Sequence, residues 1–283
     1  PLLYAEPISP LTHAELHIKN IMTFAKYQIP VVYSPCPICG VTAPITLAGS
    51  LVQSNAEVLS GLVIVQLTRK GSPILYGGLS APMDMRTITR CISSPEYLLN
   101  TLAIAQLGRY YGLPVYGAGG LSTSKLLDFQ AIIEATASIF IAALSGTNMV
   151  QCIGDIDFAL TGSLELITTM DEFVSMIRHI LRGIKVNDDT LAVDLIGKVG
   201  PGGNYLAEKH TRNRFREEIW FPTLIDRWKR EQWKVRGSKD FQQRAREKTM
   251  EILSTHTPEP LPNDVCDKLT RIAKEAEKSA LSG

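Results

Sequence analysis

The sequence predicts an α/β protein of (β/α)8 TIM-barrel type, N-terminally truncated, with a C-terminal helical extension. Three observations predict it. Short apolar segments recur without polar alternation, as parallel strands covered on both faces require. A helical pattern follows each one, which implies right-handed crossovers within one parallel sheet. The segment ends repeat a tyrosine or small residue followed by glycine, proline or serine, and α/β barrels place their chemistry at such ends. Five units are countable, so an open doubly wound sheet stays as the alternative. The start at Pro1, running at once into Leu2-Leu3-Tyr4, looks cut and favours a barrel whose first units are absent.

Leu2–Ala5 is the first expected strand, ending at Glu6-Pro7-Ile8-Ser9-Pro10. A helix over 12–27 follows, with Thr12 and Glu15 at capping-box spacing. Ile29–Tyr33 is the second strand, and its loop runs from Ser34 to Pro44 into an apolar helix over 45–69. Pro73–Tyr76 is the third strand, ending in Gly77-Gly78 and a loop with Asp84 and Arg86. The helix over 95–111 opens on a proline, which suits a first turn. Pro114–Tyr116 is the fourth strand. Gly117, Gly119 and Gly120 then permit close backbone approach to a ligand, and Ser122, Thr123 or Ser124 caps the next helix so that its first amides face the same space. Residues 148–153 form the fifth strand and 171–183 an amphipathic helix. The expected domains are therefore a partial barrel over 1–190 and a helical extension over 191–283.

Composition narrows the function. A formal charge of +1 gives no whole-chain argument for a nucleic-acid partner. Between Lys209 and Lys248, however, 13 Lys/Arg stand against 6 Asp/Glu, among Trp220, Trp228 and Trp233. That stretch reads either as a docking face or as plain solvated helix. Five cysteines, an odd number, suggest reduced thiols and a cytoplasmic setting. The apolar stretch 131–150 contains Glu134, Ser138, Ser145 and Asn148, so it reads as a buried helix rather than a membrane span. No membrane or nucleic acid is expected as partner.

The strand ends carry Tyr4 with Glu6, Tyr33, Tyr76, Tyr116 and Gln151. Several aromatic rings around one mouth would cage a methylated ammonium by cation–π attraction, worth ~0.5–2 kcal/mol each when desolvated. Equally, each is a core tyrosine with a satisfied hydroxyl. Glu57, early in an apolar helix with Asn55, needs a partner, so it is either a site carboxylate or paired with an arginine such as Arg86. Cys36-Pro-Ile-Cys39 has the spacing of a redox pair or half a zinc site, but no second pair exists and buried thiols are the plainer reading. Gly200-Pro-Gly-Gly203 lacks the Gly-Lys-Ser/Thr of a phosphate loop. His210 is a cofactor donor, an acid or a surface histidine.

Taken in order, these segments resemble the trimethylamine methyltransferase family. The match rests on Glu6-Pro-Ile-Ser-Pro10, Thr42-Ala-Pro-Ile-Thr-Leu-Ala-Gly49, Gln53-Ser-Asn-Ala-Glu57 and Ala105-Gln-Leu-Gly-Arg-Tyr-Tyr-Gly-Leu-Pro114. It continues through Gly119-Gly-Leu-Ser-Thr-Ser-Lys125, Asp128-x-Gln-Ala131, Val199-Gly-Pro-Gly-Gly203, His210-Thr211 and Asp226-Arg227. The resemblance implies an α/β barrel that moves a methyl group from a methylated amine to the cobalt of a corrinoid carried by a separate protein. Trimethylamine enzymes of the family carry a pyrrolysine, whereas members built of standard residues, as this chain is, resemble transferases for quaternary amines such as glycine betaine.

On this reading Glu6 and Glu57 are the catalytic carboxylates. Tyr33, Tyr76, Tyr116, Gly119, Gly120 and Gln151 hold the substrate, with the glycine amides taking any carboxylate. Ser122, Asp128 and His210 contact the partner's corrinoid, no metal is bound directly, and the protein is a homo-oligomer. Two rivals stand beside it: a non-catalytic module that captures a betaine or amine or docks a partner, and a zinc-dependent transferase using Cys36 and Cys39.

Overall fold

The computed structural model describes residues 1–281. Five parallel strands form one sheet: β1 (Leu3–Ala5), β2 (Val31–Tyr33), β3 (Ile74–Gly77), β4 (Val115–Ala118) and β5 (Met149–Gln151). They pair in sequence order with no switch point, which rules out the doubly wound alternative. Helices α1 (Glu15–Lys26), α2 (Leu47–Thr68), α3 (Pro95–Tyr110), α4 (Phe129–Leu144) and α5 (Leu164–Leu181) alternate with the strands and follow β5.

The helix boundaries have local causes. Ser94 caps α3 by accepting from the Tyr97 amide at 3.3 Å, with Pro95 in the first turn. Three expectations are corrected. Thr12 does not cap: its hydroxyl bonds the Pro10 carbonyl at 3.0 Å, and α1 starts at Glu15. The cap of α4 is Asp128, not Ser122, Thr123 or Ser124; its carboxylate accepts from the Ala131 amide at 2.9 Å. Helix α5 starts at Leu164, seven residues before 171, because Ser163 accepts from the Leu166 amide at 3.1 Å.

Register decides which way each strand residue faces. Tyr33 stands one position beyond Val32, which pairs with Leu75, so Tyr33 is level with Tyr76; Tyr116 instead pairs with Gly77. Since side chains alternate, Tyr33 and Tyr76 take one face of the sheet and Tyr4, Leu75, Tyr116 and Gln151 the other. The first face meets the helices: Ala5, Val31, Tyr33 and Ile74 pack with Ile21, Ala25 and Val65, and Tyr76 with Val58 and Ile104. Helix α2 alone among the described helices is long and apolar enough to cross a membrane. Its buried residues Ser50, Ser54, Glu57, Val58, Gly61 and Val65 form a helical stripe against the sheet, as in a core helix.

Beyond the strand ends the loops join. The Leu79 amide donates to Pro35 O at 2.8 Å and the Ala81 amide to Pro37 O at 3.2 Å. Strands Ile38–Cys39, Ala81–Asp84 and Thr89–Arg90 form a small sheet there. Under it lie Leu79, Ala81, Ile92, Tyr97, Ala118 and Leu121.

The compact unit holding the sheet runs from Pro1 to Arg246, past the expected division at 190/191. Glu172 of α5 is the physical reason. Its carboxylate accepts from the amides of Thr223, Leu224 and Ile225, between 2.8 and 3.0 Å, and from the Thr223 hydroxyl. Of the three tryptophans, Trp220 donates to Ser175 of α5 at 3.0 Å and Trp233 to Lys239 O at 2.9 Å, while Trp228 is exposed. The second unit, Glu247–Gly283, contains helix Asn263–Leu281, which has no buried residue.

Candidate functional site

At the carboxyl ends of the strands, on the face turned from the helices, four loops converge on a small polar cluster. Tyr4 on β1 and Tyr116 on β4 bring their ring centroids to 5.5 Å, tilted by 41°. The Tyr4 hydroxyl donates to Glu6 Oε1, and the Cys36 thiol donates to the same oxygen at 3.4 Å. Arg90, from the small sheet, lies close enough to Cys36, Tyr97 and Cys152 to act on all three. Gln151 stands in register with Ala118, on the same face as Tyr116.

Burial and charge keep the cluster's phenols and thiols protonated. Burial, then Cys36 and Glu6, pushes the Tyr4 phenol far above its usual range. Burial, then Cys152, Cys36 and Glu6, does the same to Tyr116. Burial and Glu6 push the Cys36 thiol up to about 12 against the opposing pull of Arg90. Burial and Asp155 push Cys152 up to about 12. These are neutral hydrogen-bonding groups at any physiological pH, not nucleophilic thiolates. Several polar atoms have no partner despite being buried: Tyr116 OH, Arg90 Nε and Ser34 Oγ. Buried donors without acceptors are rare in folded proteins and mark places where a ligand or water completes the bonding.

Not every expected residue arrives here. Glu57 is 2 % exposed and closed off: it accepts from Ser9 Oγ and the Leu11 amide at 2.8 Å and Gln53 Nε2 at 3.1 Å. It ties the loop after β1 to α2. Nor is Arg86 its partner, since that guanidinium pairs with Asp84 at 2.9 Å. Tyr33 faces the helices, its ring so close to Gly61 that a Cβ there would fall 2.1 Å from it, and its hydroxyl bonds His13 at 2.7 Å. Tyr76 donates to Asn55 Oδ1 at 2.8 Å. Both are core tyrosines with satisfied hydroxyls.

The glycine turn is closed too. A Cβ on Gly119 would lie 2.9 Å from Ile139 Cα, so this glycine exists for close strand-to-helix packing. Its amide donates to Gln151 O at 3.1 Å and that of Gly120 to Ser138 Oγ at 3.0 Å, leaving neither for a substrate. Ser122 is fully buried and donates to Glu134 at 2.8 Å. Asp128 is occupied as a helix cap. His210 opens the helix Lys209–Glu218, whose far end meets His179 and Arg182 at the C-terminal end of α5, away from the strand tips. None of the three residues expected to touch a corrinoid joins the cluster.

Cys36 and Cys39 diverge, the one to Glu6 and Tyr4, the other to Ser80 Oγ at 3.5 Å. Among the described residues no three His, Cys, Asp or Glu side chains converge as metal ligands. Sequence reasoning missed Cys152, although it directly follows the strand-tip residue Gln151, and it missed Tyr97 and Arg90, which lie off the strands and leave no such signal.

With this geometry in view, the relationship to known proteins is direct. The family described as trimethylamine methyltransferase (MTTB) matches residues 4–279. The chain belongs to the trimethylamine methyltransferase family. Among relatives, this family member is 40% identical over 271 residues to a trimethylamine methyltransferase of Desulfitobacterium hafniense, covering 96% of the chain and 54% of the relative. It is 37% identical over 273 residues to one of Methanosarcina barkeri, covering 96% and 55%. To a glycine betaine methyltransferase of Desulfitobacterium hafniense it is 36% identical over 263 residues, covering 93% and 55%. The chain thus spans about half the length of the curated relatives it matches.

Proposed function

We propose that this chain serves methyl transfer from a tertiary or quaternary amine to a corrinoid carried by a partner protein, with the strand-tip cluster as the amine site. The observation that carries the reading is the tyrosine pair: Tyr4 and Tyr116, rings 5.5 Å apart, beside the Glu6 carboxylate. Two aromatic faces and one acid are what a methylated ammonium selects from its surroundings. Membership of a family whose members are named for trimethylamine and glycine betaine supports the same chemistry. The accompanying fold reading is that the five βα units are part of an eight-stranded barrel whose mouth this cluster occupies.

In the reaction the N–CH3 bond breaks with its electron pair staying on nitrogen, so the amine departs neutral. The reduced cobalt of the partner supplies the nucleophile and takes the methyl group. A tertiary amine first needs a proton, and Glu6 is the carboxylate placed to hold the resulting N–H. Tyr4 orients Glu6 by donating to Oε1, and Cys36 donates to the same oxygen. The protein's task is then to bind the cation, orient the N–C bond and exclude water. Glu6 favours the bound cation over the neutral product, so it acts on kcat/KM more than on kcat.

The test is to mix the protein with a reduced corrinoid protein and single candidate amines and follow the cobalt absorbance. Methylation with one amine, and its loss in Glu6→Gln, supports the reading. Calorimetric binding without a spectral change makes the chain a capture module and overturns the transfer step.

A further inference from the structure

We infer that His17 is a positioning residue for methyl transfer: its ring holds the main chain of Glu6 and so aims the carboxylate that receives the amine. The inference rests on the reading of Glu6 given above and adds to it the group that sets this acid in place.

Glu6 stands where the chain has left one frame and not yet reached the next. The last bond between β1 and the second strand runs from the Ser34 amide to Ala5 O at 3.0 Å. The next secured point is Ile8, whose amide donates to Thr12 O at 2.8 Å and whose carbonyl accepts from the Thr12 amide at 3.0 Å. Glu57 of α2 then holds the same loop through Ser9 and Leu11. Between these anchors lie Glu6 and Pro7, and proline has no N–H to give. Among the described residues the main chain of Glu6 has one hydrogen-bonding partner, the His17 ring.

His17 sits half-buried in the first turn of α1, with Nδ1 2.5 Å from Glu6 O and 3.4 Å from Glu6 N. One ring nitrogen does not donate and accept at once. The shorter contact is to the carbonyl, so Nδ1 carries the proton and donates to Glu6 O. The bond from Ser34 to Ala5 O fixes the peptide plane before Glu6, and the bond from His17 fixes the plane after it. Two planes fixed on either side of one Cα set the direction of its Cβ. His17 thus holds the root of the side chain, while Tyr4 and Cys36 hold its head at Oε1. His13, four residues earlier, does the other kind of work: it bonds the core hydroxyl of Tyr33 at 2.7 Å.

The test is the rate of methyl transfer from an amine to a reduced corrinoid protein, measured on the full chain. An asparagine amide lies as many bonds from Cα as Nδ1 does, and a glutamine amide lies one bond farther, so only asparagine keeps a donor in place. His17→Ala and His17→Gln are expected to lower kcat/KM about 30-fold, and His17→Asn less than about threefold. Added to Glu6→Gln, His17→Ala should cost less than about threefold more, because the acid it aims has gone. An equal loss in both backgrounds would mean that His17 acts on the fold at large, and that result overturns the inference. So does an unchanged rate in His17→Ala, or His17→Asn falling as far as His17→Gln. Should His17→Ala fail to fold in a thermal melt, the Asn-to-Gln comparison decides alone. If Glu6→Gln slows transfer and His17→Ala does not, this inference falls by itself. If Glu6→Gln transfers as fast as wild type, or wild type methylates no cobalt, the parent reading falls and takes this one with it.

Discussion

The two faces of the parallel sheet carry the same residue types to opposite ends. Toward the helices, Tyr33 and Tyr76 are buried with hydroxyls bonded to His13 and Asn55, and Glu57 accepts from three donors. Toward the strand tips, Tyr116, Arg90 and Ser34 hold buried donors with nothing to accept from them. A buried polar group that the protein has satisfied belongs to the fold, and one it has left open is free for a ligand or water to complete, as at Asn100, Thr136 and His210 outside the cluster too. Residue type alone does not separate the two cases; the hydrogen-bond account does.

The sharpest way to break this comparison is to remove a carboxylate from each face. Glu57→Ala strands the Leu11 amide and Ser9 hydroxyl and should cost about 3 kcal/mol in thermal or urea unfolding; a loss under about 1 kcal/mol would return Glu57 to the candidates for chemistry. Glu6→Gln should lower kcat/KM for methyl transfer about 100-fold, with unfolding free energy changed by less than about 1 kcal/mol. Unaltered transfer in that variant would mean that the open face is not the amine site.

Acidity sharpens the comparison further out. Burial opposes the Glu172 charge, but the bonds from Thr223, Ile225 and Leu224 outweigh it and hold this carboxyl below its usual range. A depressed folded value means that the stabilisation is complete above the unfolded value of about 4.5 and is lost as pH falls through the folded one. Glu172→Gln should therefore be about 2 kcal/mol less stable than wild type at pH 7, with the gap closing below pH 4. A pH-independent gap would contradict the assignment.

The smallest effect is the most direct. Tyr76→Phe forfeits a made hydrogen bond and should cost about 1 kcal/mol, whereas Tyr116→Phe removes an unmet donor and should change stability by less than about 0.5 kcal/mol while weakening ligand binding. Equal costs in paired melts would erase the distinction between the faces.

Much of the scaffold was legible in the residues. The five strands and the helices α2 and α3 lie within a few residues of their expected spans, because apolar runs, Pro95 and the glycine turns are local signals. Facing was not legible. Strands of three or four apolar residues carry no alternation from which to read orientation. Tyr116 pairs with Gly77 rather than Tyr76, so it points opposite to Tyr76, and only register reveals that. The role of Glu57 was hidden for another reason: its donors Ser9 and Leu11 are 48 and 46 residues away in sequence. Gly119 and Gly120 carry the same local signal as a ligand-binding glycine turn, yet the missing Cβ of Gly119 serves the approach of α4. Arg90 lay in an excursion between strand and helix, outside the strand-end rule that found Glu6 and Tyr116.

One device recurs through the molecule: Glu57, Glu134 and Glu172 each grip a loop through main-chain amides together with a side-chain hydroxyl, the amides being those of Leu11, Thr123 and Thr223 to Ile225. An amide is offered by every amino acid except proline. The side chains of Leu11, Leu224 and Ile225 are thereby left out of the grip and free to vary, whereas Ser9, Ser122, Thr123 and Thr223 add their hydroxyls to it. Proline at Leu11, Thr123 or any of Thr223 to Ile225 would take away an amide that no other side chain there replaces.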